Sequence, residues 1–194
     1  MRISTAACWK LMGDIVMSSI VLEELKKIIQ INPYLTLMPI EAENFIFEKR
    51  VRLNCFYCSK YDTKWTCPPR IPELDYEVIL SEYQNLAILK YERIFSKEEF
   101  DLVRSESTND VHRMLLKLEK YLYEHNDSLA ISFIGGSCKL CKNGCAKDKC
   151  NNPGMARIPL EATGVNVIKS LANIGIKIEF PLIDKFYRFG LIAW

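Results

Sequence analysis

The 194-residue chain is 49% apolar and 26% charged with a net charge of +2, the make-up of one soluble globular domain large enough to bury a core of its own. No uninterrupted apolar run approaches the roughly 20 residues of a membrane-spanning helix, so a membrane partner is excluded as an expectation. Lys10 and Asp14 interrupt the weak apolar run around Ala6 to Trp9, which is not the pattern of a secretory signal; a cytoplasmic protein is expected, where clustered thiols stay reduced and serve metals rather than disulfides.

Residues 1–16 read as a disordered extension preceding a single cysteine-rich domain over 17–194, with Cys8 outside the chemistry. Ser19 offers a helix cap ahead of Glu23 and Glu24, and acidic residues suit a first helical turn. Val21, Leu25, Ile28 and Ile29 then predict a helix over 20–31 with one buried face, closed by Asn32-Pro33. Tyr34 to Ile40 and Asn44 to Leu53 read as extended, the second running directly into Cys55. Residues 54–72, rich in proline, lysine and aromatic side chains, carry neither period; a loop of that length in a compact domain usually serves a function.

A helix is predicted over 73–83 and a buried strand from Asn85 to Tyr91. Ser96 and Glu99 match a capping box. Val111, Met114, Leu115, Leu118, Tyr121 and Leu122 follow the 3.6-residue period of a helix, while the polar stretch Ser105 to Asp110 predicts a break upstream of it. Leu129 to Ile134 reads as a strand ending at Gly135-Gly136, followed by a helix over 160–173 that stops near Gly175 and strands over 176–182 and 186–193. This alternation predicts an α+β or α/β fold, a single domain with a mixed sheet and helices packed on it. Two cysteine-rich metal-binding loops leave the ends of predicted strands at Leu53 and Ile134.

Seven of the eight cysteines fall in two clusters, Cys55, Cys58 and Cys67 followed by Pro68-Pro69, and Cys138, Cys141, Cys145 and Cys150. Thiolates this close together are ligands for soft metals or iron–sulfur clusters. Four cysteines at gaps of two, three and four residues resemble the dense runs that wrap four-iron cubes, whereas zinc sites more often use two separated pairs. A zinc site from Cys55, Cys58, Cys138 and Cys141 would leave Cys67, Cys145 and Cys150 without work. Three arrangements follow: a four-cysteine cluster beside a three-cysteine one with a position open or filled by another group such as Asp62 or His112, ligands interleaved between the loops, or one centre plus spare thiols. The first is favoured. The spacing of Cys55, Cys58 and Cys67 is not the Cys-x3-Cys-x2-Cys of radical enzymes that use S-adenosylmethionine.

Cations flank both clusters: Lys139, Lys142, Lys147 and Lys149 against Asp148 alone, and Lys49, Arg50, Arg52, Lys60, Lys64 and Arg70 against Glu48 and Asp62. They offset the charge of metal–thiolate centres; the same charges suit nucleic acid or an acidic protein, with nucleic acid not favoured. Phe56, Tyr57, Tyr61 and Trp65 are placed either to shield a cluster or to fill a long loop, and His112 and His125 read as structural. No phosphate loop, dinucleotide fingerprint or Ser/His/Asp arrangement rises above chance.

Cys55, Cys58, Tyr61, Cys67, Pro68 and Pro69 form a signature that resembles an uncharacterised family of cysteine-rich predicted metal-binding proteins. Its second signature is matched by Gly136, Cys138, Cys141, Cys145, Cys150 and Pro153, then by Arg157, Pro159, Glu161, Ala162, Gly164 and Val167. The likeness covers roughly residues 45–193, with Asn151 in place of an expected Arg and Ile158 inserted before Pro159. The resemblance implies metal binding at the seven matched cysteines and a setting in archaea and anaerobic bacteria, congenial to oxygen-sensitive centres. The expectation is therefore an iron–sulfur protein holding one or two 4Fe-4S clusters that transfers electrons with a redox partner protein. Its rivals are a zinc-stabilised interaction or nucleic-acid-binding module and an enzyme with an open iron.

Overall fold

The computed structural model describes residues 19–194; the expectations for residues 1–16, Cys8 among them, lie outside the described residues. Helix α1 runs over 19–29, followed by β1 (Leu35–Pro39), α2 (Lys49–Phe56), α3 (Tyr76–Ser81), β2 (Leu86–Ile94), α4 (Phe100–Glu124), β3 (Ile131–Phe133), α5 (Val167–Asn173) and β4 (Lys185–Ala193). The four strands form one sheet in the order β1-β2-β4-β3, antiparallel at every pairing. This is an α+β domain.

The central strand β2 is apolar on both faces because both are covered. Ala87, Leu89 and Tyr91 join Leu25, Val111, Leu115 and Leu118 in one buried cluster, under α1 and α4. Leu86 and Ile88 join Tyr76, Leu80, Leu160, Val165 and Leu171 in the other. The alternation follows from the two-residue period of a strand, which sends neighbours to opposite faces. The near-continuous apolar run from Leu86 to Leu89 thus reflects a sheet between two layers.

Helix α4 is continuous over 25 residues, so the break predicted at Ser105 to Asp110 is not there. The hydroxyls of Ser107 and Thr108 donate to the Arg104 carbonyl at 3.2 and 3.1 Å, which satisfies them within the helix. The Ser96–Glu99 capping box forms as expected, with the Ser96 N–H donating to Glu99 Oε2 at 3.0 Å, and opens a 3-10 turn that leads into α4.

Three other expectations are corrected. Asn44 to Leu53 is not a strand: after a single bridge between Phe47 and Val165 the chain turns into α2, so Cys55 sits in a helix. No residue of α2 is buried, so its apolar side chains never showed the helical period. The helix over 160–173 is two pieces, a 3-10 turn (Leu160–Thr163) and α5, parted at Gly164, whose φ of 101° ends the first. Residues 176–182 are irregular; Ile176 and Ile178 rest against the second core cluster without a strand partner.

Candidate metal centre

The first cysteine segment is built turn by turn from α2. The N–H of Cys58 donates to the Cys55 carbonyl at 3.1 Å, that of Tyr61 to Cys58 at 3.0 Å and that of Cys67 to Lys64 at 3.1 Å. Asp62, in the left-handed region at φ 51°, closes the segment through its N–H to the Pro68 carbonyl at 2.9 Å. Helix α2 lacks apolar anchorage and is tied by polar bonds instead. The Glu48 N–H donates to the Gly164 carbonyl at 2.9 Å, while its carboxylate accepts from Asn166 Nδ2 at 2.7 Å and Lys169 Nζ at 2.6 Å. These bonds anchor the N-terminal end of α2 to the segment that follows the Leu160–Thr163 turn.

Cys55, Cys58 and Cys67 line one open cavity of about 470 Å3, together with Lys60, Arg104, Gly136, Ser137 and Glu161. Burial raises the Cys55 thiol pKa, and Cys58 and Glu161 raise it further. Burial pushes Cys67 up to about 11, with Cys58 and Cys55 adding to the rise. The three thiols thus share one cavity and raise one another's pKa within it. Glu161 itself is held on a short leash: Leu160 N–H donates to Ile134 O at 2.9 Å, and Ile134 N–H to Ile158 O at 3.0 Å. Burial raises the Glu161 carboxyl pKa against the opposing effects of its own N–H, the Gly136 N–H and Arg188.

The second segment has no helix or strand between Cys138 and Cys150. All four of its cysteines line a narrow void of about 10 Å3 with Lys64, Trp65, Thr66, Leu140, Asn152 and Ala156. Asn152 serves two sulfurs, donating from Nδ2 to Cys141 Sγ at 3.1 Å and from its backbone N to Cys150 Sγ at 3.4 Å. Burial raises the Cys138 thiol pKa; the Leu140 N–H opposes this, and Cys145 and Cys150 add to it.

The two segments touch. Trp65 Nε1 donates to the Ala146 carbonyl at 2.9 Å, and Lys64 lowers the thiol pKa of both Cys67 and Cys138. Arg70 lies 4.6 Å above the Trp65 ring and bonds Asp62 at 2.8 Å, which locks the indole in place. The structure thus divides the seven predicted cysteines into three and four, in neighbouring cavities. Among the described residues, no three His, Cys, Asp or Glu side chains converge on a single point as the thiols stand.

Gly135, after β3, lets the chain pass close to β4. A Cβ on Gly135 would lie 2.2 Å from the Phe189 carbonyl oxygen, and Arg188 Nη1 donates to Gly135 O at 3.0 Å. The close approach is therefore to β4. Of the aromatic residues, Trp65 lines the four-thiol void, while Phe56 and Tyr57 are mostly exposed. His112 is buried with Nε2 2.8 Å from Met155 O, and His125 stacks on Tyr121 at the end of α4. Asp62 is engaged by Arg70. Neither Asp62 nor His112 lines the three-thiol cavity.

Sequence reasoning missed two residues. Arg157, on the strap after Cys150, forms a nearly buried ion pair with Glu119 of α4, Nε to Oε1 at 2.7 Å, and Ser132 also donates to that carboxylate. Glu161 stands in the wall of the three-thiol cavity. Both belong to the second family-like signature, which was the available signal.

Fold and site together define a cysteine-rich α+β protein whose thiols gather from two segments. The chain belongs to the family described as "predicted metal-binding protein (DUF2284)", which matches residues 38–192. Neither the curated proteins nor the solved structures include a match to it. No helix among the described residues is long and apolar enough to cross a membrane.

Proposed function

We propose that the protein holds iron–sulfur clusters, of the four-iron type, and passes electrons to or from a partner enzyme. The observation that carries this reading is the division of the seven cysteines into a set of four and a set of three in separate cavities on segments that meet at the Trp65–Ala146 bond. Four soft sulfur donors suit a fully cysteine-ligated cube, and three suit a second with one position not held by cysteine. Such a group, when bound, stores and releases one electron at a time. The irregular segment between Cys138 and Cys150 has no ladder or helix to break, so it is free to spread around a cluster larger than the present void.

The protein's own contribution is to the surroundings. N–H groups of Asn152 and Leu140 directed at sulfur hold negative charge there and tune potential. Trp65 keeps water from the four-thiol side. Lys60, Lys139, Lys142, Lys147 and Lys149 are exposed around the two segments, a fringe that suits an acidic redox partner. Protein prepared without oxygen should be brown, with iron and acid-labile sulfide in similar amounts. A colourless protein with stoichiometric zinc would overturn the electron-transfer reading in favour of a zinc-stabilised module.

The open three-thiol cavity favours a second reading, chemistry at a non-cysteine iron position, because it has room for a small molecule beside the thiols. A reduced-state spectrum indifferent to cyanide and to small carboxylates would rule this out.

A further inference from the structure

The wall of the three-thiol cavity includes Glu161, whose carboxylate interacts with its own N–H and that of Gly136 but leaves one oxygen unpartnered. Glu161 Oε2 is shut off from solvent and has no hydrogen-bond partner. A carboxylate oxygen stripped of water and offered nothing in exchange is costly, and such an atom in a native protein calls for an ion, a water or a reaction to explain it. The obvious protein partner is occupied elsewhere. Arg188 donates from Nε to Ser107 Oγ at 2.9 Å, from Nη1 to Gly135 O at 3.0 Å and from Nη2 to Arg104 O at 3.1 Å, and it forms no ion pair with Glu161.

The placement of the carboxylate is over-determined. The turn that carries Glu161 starts at Pro159, which bridges Ile134, and ends at left-handed Gly164, whose carbonyl accepts from Glu48 at the start of α2. The bonds that hold this turn therefore also hold the helix that presents Cys55. Leu160 and Ala162, on either side of Glu161, are buried, so the turn cannot rotate its acid outward without exposing them. Aspartate and histidine alternatives near the first cluster are already spoken for, Asp62 by Arg70 and His112 by the Met155 carbonyl.

We propose that Glu161 is the fourth protein ligand of the three-cysteine centre, its carboxylate completing a three-sulfur, one-oxygen donor set with Cys55, Cys58 and Cys67. The inference rests on the reading of those cysteines as metal ligands. Loading such a site releases the protons of the three thiols, and of the carboxyl where it is protonated, to solvent. Carboxylate is a harder donor than thiolate and a poorer match for a soft metal. The oxygen-held metal would then be the exchangeable one, beside a cavity of about 470 Å3 with room for a small ligand.

The full-length chain, reconstituted without oxygen using ferrous iron and sulfide, tests this. Wild type, Cys67→Ala, Glu161→Ala, Glu161→Gln and Glu161→Cys are compared by iron per chain and by electron paramagnetic resonance, with far-ultraviolet circular dichroism confirming the fold. Cys67→Ala should lose about half of the bound iron. Glu161→Ala and the isosteric Glu161→Gln should keep the four-thiol centre and yield a three-iron signal from the other after mild oxidation, and Glu161→Cys should abolish that signal. If both Glu161→Ala and Glu161→Gln match wild type in iron and spectrum while Cys67→Ala loses iron, the ligand role is wrong and the cysteine reading stands. Full iron in Cys67→Ala, or no iron in wild type, overturns both.

Discussion

The two thiol cavities are neighbours built on opposite plans. One continuous, irregular segment supplies all four cysteines of the narrow void, and a single residue, Asn152, donates to two of their sulfurs. The wide cavity is a composite: Cys55 comes from a helix end, Cys58 and Cys67 from the turns after it, and Gly136 and Glu161 from segments far along the chain. A site wound from one segment depends mainly on its own spacing. A composite site depends on the scaffold that brings its walls together, so scaffold damage should reach the three-thiol cavity first.

Removing a ligand gives the largest effect and the sharpest contrast. Cys141→Ala should abolish the four-thiol centre's metal while leaving the three-thiol centre loaded; since metal-binding energy is folding energy in such segments, its melting temperature should fall well below that of loaded wild type. Equal loss at both centres, seen by metal analysis, would show that the two cavities are one interleaved site. Next in size is Gly135→Ala, whose new methyl would meet the Phe189 carbonyl at 2.2 Å. It should destabilise the fold by about 3 kcal/mol in urea unfolding, and among surviving molecules the composite cavity should lose metal more readily than the other.

Breaking the pair between Arg157 and Glu119 follows. Arg157→Met leaves a nearly buried carboxylate with Ser132 as its remaining donor; the cost should be about 2 kcal/mol, less than for a fully buried pair because both side chains keep some exposure. Trp65→Phe removes the indole bond to Ala146 and should cost about 1 kcal/mol, with faster cluster bleaching in air as its clearer signature. Smallest is Glu48→Gln. Hydrogen bonds from Arg50, Lys169 and Asn166 hold this carboxyl well below the ordinary range, so its contribution is present above about pH 4 and fades as pH falls toward the depressed value. The variant should lose a little stability at neutral pH and have a shallower acid limb, read by thermal melts across pH.

Legibility differed between elements for physical reasons. β2 and the C-terminal half of α4 were readable because they are buried along a continuous face, which imprints its period on the side chains. The Ser96–Glu99 cap was readable because its bonds are local. Helix α2 was misread because nothing in it is buried, and polar ties to Gly164, Asn166 and Lys169 hold it in place of an apolar face. Residues 176–182 showed apolar positions like a strand, yet those side chains serve packing without a ladder.

Spacing alone marked the seven cysteines as candidate ligands, since ligands a few residues apart can reach one centre whatever the fold around them. Their partition was not readable in that way. The contact of Trp65 with Ala146 spans 81 residues, and the sharing of one cavity by Glu161 and Cys55 depends on how α2 and the turn after Pro159 are tied to one another. Sequence alone determined the kind of donor atoms and most of the regular elements, because both are local properties of the chain. Tertiary structure alone decided which sulfurs share a cavity and that Glu161 lines the cavity of three of them, because the burial of distant faces, not spacing, brings those segments side by side.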